Sequence, residues 1–147
     1  QYMPMCYVSK DVIANANAQM IPDGDLYTFG ILNSCIHNAW MRAVCGRMKS
    51  DYAYSATIVY NNFPWCEPTD AQKAKIEQTA QAILNARALY PDSSLADLYD
   101  EVAMPADLRK AHNSNDKAVM QAYGFESSMT ESEIVAELFK LYQAKNK

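Results

Sequence analysis

Leu26, Phe29, Leu32, Ile36, Ala39, Trp40, Ala43 and Val44 recur mostly at three- and four-residue spacings, which predicts a helix buried along one stripe. Behind it, the stretch from Gly46 to Ser55 carries Arg47, Lys49, Ser50, Asp51, Tyr52, Tyr54 and Ser55. A buried helix fixes the angle of whatever leaves its end. Here that is a polar loop with enough donors and acceptors to read the edge of a base pair. Gly46 is expected as the helix C-cap. Ala56 to Tyr60 is β-branched and apolar enough for a strand, closed by Asn61, Asn62, Phe63, Pro64 and Trp65. Residues 2–8 and 11–21 have the look of short strands, followed by a Pro22-Asp23-Gly24 turn.

The second half is helical. Thr69 to Gln72 forms a capping box that opens a helix to Leu89, stopped by Pro91. Ser94 caps a short helix through Val102. Pro105 suits the first turn of another, which the Asn113-Ser114-Asn115-Asp116 cluster is expected to interrupt before Tyr123 and Gly124. Thr130 to Glu133 is a further capping box; Met129 can staple onto Ile134, and Ile134, Leu138, Phe139, Leu141 and Tyr142 give a buried stripe. The fold class expected is α+β, predominantly α: short strands and one buried helix over residues 1–65, then a helical bundle over residues 66–147.

The 147 residues suffice for one domain with a real core or for two small subdomains. The chain begins at Gln1 inside a strand-like segment, which suggests a piece of a longer protein. No apolar run reaches the ~18 residues of a membrane span, and no basic-then-apolar leader is present, so the expectation is a soluble protein of the cytoplasm with no membrane partner. Cys6, Cys35, Cys45 and Cys66 lack paired C-x-x-C spacing and read as structural or incidental. Four glycines leave no phosphate loop and no dinucleotide fingerprint. His37 and His112 have no relay partner at a useful spacing and read as ordinary hydrogen-bonded or solvated histidines, and Asp97, Asp100 and Glu101 read as a solvated helix face. No catalytic or metal-ligating residue is assigned. Asn62-Phe63-Pro64-Trp65 lies one residue from the Asn-Pro-Pro-aromatic motif of amino-methyltransferases, but Phe63 removes the rigid Pro-Pro step. It reads as a strand end anchored by Phe63 and Trp65.

The run FGILNS-x-IHNAWMRAVCGR-x-KSDY-x-YS-x-x-IVYNNFPW from Phe29 resembles the end of the target-recognition domain in the Mme-type bifunctional restriction-modification enzymes, the single-chain type IIL family. The likeness continues through EPTDAQKAKIEQTAQAILNARALYPDSSLADLYDE, MPADLRKAH and NDKAVMQAYGF to TESEIVAELFKLY. It covers nearly the whole chain and includes rare residues such as Trp40, Trp65 and the Asn61-Asn62 pair.

The resemblance implies that this chain is the closing segment of a DNA target-recognition domain plus a C-terminal helical domain. Neither would catalyse. The implied parent is a bacterial, site-specific, S-adenosylmethionine-dependent DNA adenine methyltransferase of a family that also carries a nuclease. Cofactor pocket and catalytic residues would lie in upstream domains, against which this segment packs. Lys49 and Asp51 match the family's base-reading positions in the major groove of double-stranded DNA. Lysine donates to guanine O6 and N7 and aspartate accepts from cytosine N4, so the pair suits one G·C pair. Arg42, Arg47, Ser50, Tyr54 and Ser55 are expected to contact phosphates and fix register. Ala53 stands where the family commonly has arginine, and Cys66 where it commonly has proline. The competing reading is a helical protein-interaction module without nucleic-acid contact, which would account for residues 67–147 and leave the loop unexplained.

Charge limits what the chain can do alone. Residues 1–65 hold Lys10, Arg42, Arg47 and Lys49 against Asp11, Asp23, Asp25 and Asp51, so the net charge of −4 belongs to the remainder. Duplex affinity rests largely on neutralised phosphates. The isolated chain is therefore expected to show no specific shift of DNA in a mobility assay at physiological salt; tight sequence-selective binding would contradict this.

Overall fold

The computed structural model describes every residue except Gln1, Asn17, Ser50 and Lys147. Six α-helices, a two-stranded hairpin and one π-helix follow in the order α1 (Leu26–Leu32), α2 (Cys35–Val44), β1 (Gly46–Met48), β2 (Asp51–Ala53), the π-helix (Ala56–Tyr60), α3 (Asp70–Ala88), α4 (Leu95–Leu98), α5 (Ala106–Tyr123) and α6 (Glu131–Lys145). The α+β, mainly α class read from the sequence is the one observed.

The expected single helix over residues 26–44 is two. Asn33 and Ser34 bond to the backbone of the preceding turn, Asn33 Nδ2 to the Phe29 carbonyl at 3.0 Å and Ser34 Oγ to the Ile31 carbonyl at 2.6 Å. Such local side-chain bonds compete with helix continuation. Ser34 then caps α2 by accepting from the His37 amide. At the far end Cys45 is extended and Gly46 starts β1, so Gly46 is not the C-cap.

Among the described residues, the expected strands over residues 2–8 and 11–21 do not form, and Asn17 lies outside those residues. Among the described residues the only sheet is the hairpin. Helix amides take the place of a partner strand: Asn38 Oδ1 accepts from the Met3 amide at 2.5 Å and Asn33 Oδ1 from the Met5 amide at 3.0 Å. Beyond Met5 the chain runs over the surface, with Val12 and Ile13 exposed. The Pro22–Asp23 turn is present, with Asp23 at φ 53°. The expected strand at residues 56–60 is the π-helix, closed by the Asn61 amide on the Ala56 carbonyl at 2.9 Å. Asn62 Nδ2 ties down the Thr57 and Ile58 carbonyls. Only Val59 is buried there, and its carbonyl accepts from Trp40 Nε1 at 3.0 Å.

The capping boxes expected at Thr69 and Thr130 form, and the expected Ser94 cap is itself part of a box with Asp97. Helix α4 stops at Leu98 rather than Val102, because the Asp100 carboxylate accepts from the Val102 and Ala103 amides and turns the chain. Helix α5 runs through the Asn113–Asp116 cluster without a break. Two of its polar side chains, Asn115 and Asp116, are spent on tertiary bonds instead. Asn115 Nδ2 donates to the Gly30 carbonyl at 2.8 Å and its Oδ1 accepts from Thr79 Oγ1 at 3.0 Å. Asp116 accepts from the Cys35 amide at 2.7 Å, capping the start of α2, and from the Tyr2 hydroxyl. In α6 the buried stripe narrows to Ile134 and Leu138; Phe139 and Leu141 are part exposed, although the Phe139 ring lies 5.2 Å from that of Trp40.

Two clusters form the interior. One gathers Ile31, Ile36, Trp40, Val59, Phe63, Ile76, Val119 and Leu138; the other gathers Phe29, Ala80, Ile83, Leu98, Tyr99 and Leu108. Both draw on residues from either side of Trp65, so the first 65 residues and the helical remainder share their cores. The closest approach is at Gly30, where an added Cβ would lie 2.7 Å from Ile76 Cγ2 and 3.2 Å from the Ala80 Cβ. Gly30→Ala should therefore cost about 1–3 kcal/mol through overpacking. The expected readout is a lower urea midpoint with an unchanged m-value.

Both histidines are buried. Tyr99 Oη accepts from Arg87 Nε and Nη2 and so donates its own proton to His112 Nε2, at 2.5 Å. His112 is thus neutral and protonated on Nδ1. Burial, reinforced by the Arg87 charge, pushes its pKa down to about 4; burial does the same to His37. A base with a depressed folded pKa stabilises the fold above its unfolded value near 6.5, and that stability is lost as pH falls toward 4. Accordingly, both imidazoles should keep neutral-form NMR shifts at pH 5.5, while the unfolding midpoint declines between pH 6.5 and pH 4. Titration of either ring near 6.5 would contradict the burial.

Candidate nucleic-acid interface

The polar stretch after α2 is a hairpin with the register Gly46↔Ala53, Arg47↔Tyr52 and Met48↔Asp51. Two residues, Lys49 and Ser50, join its strands. Two-residue connections favour turns with positive φ at the first central position, and Lys49 lies at φ 60°. Glycine or asparagine suits that geometry better than lysine, which pays roughly 1–2 kcal/mol to occupy it. Lys49 is exposed at the tip, with Asp51 exposed beside it on β2. Ser50 lies outside the described residues.

Strand alternation sorts the remaining side chains. Arg47 and Tyr52 share one face, with the guanidinium 4.5 Å above the Tyr52 ring and Nη2 donating to its hydroxyl at 2.9 Å. Tyr52 and Tyr54 are half-buried and pack on the first core cluster. Gly46, Met48, Asp51 and Ala53 occupy the opposite face, all exposed.

The hairpin's base is held from below. Tyr54 Oη meets His37 Nε2 at 3.1 Å, and burial pushes the Tyr54 phenol well above its ordinary range. Ser55 caps the π-helix by accepting from the Ile58 amide. Phe63 is buried edge-on to His37, Trp40 and Trp65. The Tyr123 hydroxyl donates to the Pro64 carbonyl at 3.0 Å, and Lys145 Nζ reaches the Trp65 carbonyl. The Asn62–Trp65 segment is thus an anchor, following a π-helix rather than a strand.

Arg42 lies outside the hairpin. It forks onto Glu131 at the start of α6, with Nε–Oε1 and Nη2–Oε2 both 2.8 Å, and this pairing holds the Glu131 carboxyl below its ordinary range. Of the seven residues singled out in the sequence, the structure brings Arg47, Lys49 and Asp51 together on the exposed hairpin. It sets Tyr54 and Ser55 at the hairpin's foot and Arg42 against α6. The pairing gives Tyr52, named in the sequence only as one of the loop's polar side chains, the task of platforming Arg47, and it brings in Met48, opposite Asp51, which the sequence did not single out.

Among the described residues no three His, Cys, Asp or Glu side chains gather as a metal site. The acidic cluster on α4 and beyond is used locally, Asp97 in the Ser94 capping box and Asp100 in its turn. No helix among the described residues is long and apolar enough to cross a membrane.

The matches to known proteins fall on both segments. Residues 1–67 match the family model "MmeI, target recognition domain", and residues 68–147 match "MmeI, C-terminal domain". DNA methyltransferase A of Bacillus subtilis (strain 168) is 38% identical over 142 residues, covering 97% of this chain and 16% of that protein. A solved structure of the type IIL restriction-modification enzyme MmeI in complex with DNA superposes with a TM-score of 0.83 at 50% identity, covering 86% of this chain and 17% of that one. The chain thus spans about a sixth of the length of either relative. It belongs to the MmeI family, carrying sequence of that family's target recognition and C-terminal domains.

Proposed function

We propose that this chain reads one base pair of a DNA target for a longer, S-adenosylmethionine-dependent methyltransferase of a bacterial restriction-modification system, working in the cytoplasm where its duplex is found. The observation that carries this reading is the exposed two-stranded ribbon with Lys49 and Asp51 at its tip. A ribbon of two strands is the width that the major groove of B-form DNA admits. Lysine occupies a turn position better suited to glycine or asparagine, which fits a role for the side chain rather than for the backbone. Lys49 donates to guanine O6 and N7, and Asp51 accepts from the N4 amine of the paired cytosine, each contact contributing about 1–3 kcal/mol of discrimination.

Arg47, stacked on Tyr52 and exposed, contacts a phosphate, as does Ser50, three residues further along the sequence. Arg42, Tyr54 and Ser55 are engaged with protein and hold the ribbon at its angle. Residues 1–65 close the recognition domain and residues 66–147 form the helical domain that braces it. Transfer chemistry, the cofactor site and the other wall of the DNA cleft belong to the rest of the polypeptide. The net charge of −4 accords with that division of labour.

Reversing the two charges tests the assignment. In the full-length protein, Lys49→Glu with Asp51→Arg should change the methylated motif from G·C to C·G at a single position, read by methylation sequencing. An unchanged motif would remove Lys49 and Asp51 from base reading.

A further inference from the structure

Met48, paired in β1, is not among the residues that pack on either core cluster. Its side chain is 72% exposed, although neighbouring Tyr52 and Tyr54 pack on the core. The register places it directly across from Asp51, so the two side chains leave the same face of the ribbon. The next pair along that face, Gly46↔Ala53, offers at most a methyl group, and a Cβ added at Gly46 would meet nothing within 4 Å. The face that bears Asp51 is thus smooth at its base, with one long apolar side chain at its tip.

We infer that Met48 is a third base-reading side chain, contacting the C5 methyl of a thymine adjacent to the G·C pair assigned to Lys49 and Asp51. The inference rests on that assignment. Paired side chains across a hairpin lie about 4.5–5.5 Å apart at Cβ. Successive base pairs are about 3.4 Å apart, so two side chains on one face address neighbouring pairs. In the major groove the apolar group a base presents is the thymine methyl, and a flexible thioether side chain adapts to it without a hydrogen-bonding partner.

Exchange of thymine for uracil removes that methyl and leaves every hydrogen-bonding group in place. With the full-length protein and its methylation-defined site, replacing the flanking thymine by uracil should weaken binding about fourfold, the worth of one buried methyl group. Met48→Ala should bind the two duplexes equally, while Met48→Leu should retain the discrimination. A merely structural role for Met48 would weaken both duplexes alike and preserve their ratio, which would overturn the inference. So would a site with no thymine beside the G·C pair, or a wild-type protein indifferent to uracil there. Failure of the underlying assignment shows itself separately, as an unchanged motif in the Lys49→Glu, Asp51→Arg protein.

Discussion

The Asn115 amide is the constraint on which the arrangement of helices depends. From α5 it donates to the Gly30 carbonyl of α1 and accepts from Thr79 of α3, joining three helices at a fully buried point. A buried amide left without partners costs about 1–3 kcal/mol, so the three helices are held to one relative position. Gly30, with no Cβ, is what lets α1 come close enough for this bond to form. One residue further along α5, Asp116 accepts from the first amide of α2. The placement of α2, and of everything leaving its C-terminus, follows from that helix.

From α2 outward the packing turns aromatic. Trp40 fixes the π-helix through the Val59 carbonyl, and His37 meets the Tyr54 hydroxyl. Arg42 forks onto Glu131 and couples the same helix to α6. The hairpin is therefore attached at both ends to parts of the core, while its own six paired residues form a small exposed ribbon. Among the described residues, buried side-chain nitrogens and oxygens other than His112 Nδ1 find hydrogen-bond partners, while Lys49 and Asp51 near the tip are exposed.

The helices were legible because their signals are local. Capping boxes at Thr69 and Thr130, the cap at Ser94, and the period of the apolar residues depend only on near neighbours in sequence. The structure departs from the local signals in two ways: short-range side-chain bonds at Asn33, Ser34 and Asp100 end helices early, and elsewhere a side chain has a distant partner. The Asn113–Asp116 cluster looks like a helix breaker until Asn115 and Asp116 are seen to bond across to α1, α3 and α2. Residues 2–5 look like a strand because they are extended, yet their amides bond to Asn33 and Asn38. The β-branched run Ala56–Tyr60 has strand propensity, but Asn62 and Trp40 claim its carbonyls. At the candidate site, the identities of Lys49 and Asp51 were readable through family likeness. The hairpin was not, since Lys-Ser lacks the Asn-Gly or Asp-Gly signature of a two-residue turn.

The shortness of that turn has an evolutionary consequence. Side chains alternate from one face of a strand to the other, so inserting or deleting a single residue in the ribbon would exchange its two faces. Asp51 and Met48 would swing toward the core, and Tyr52 would be expelled from it. Replacing side chains at constant length leaves both faces in place, in the manner of a lock recut by changing its pins and never its barrel.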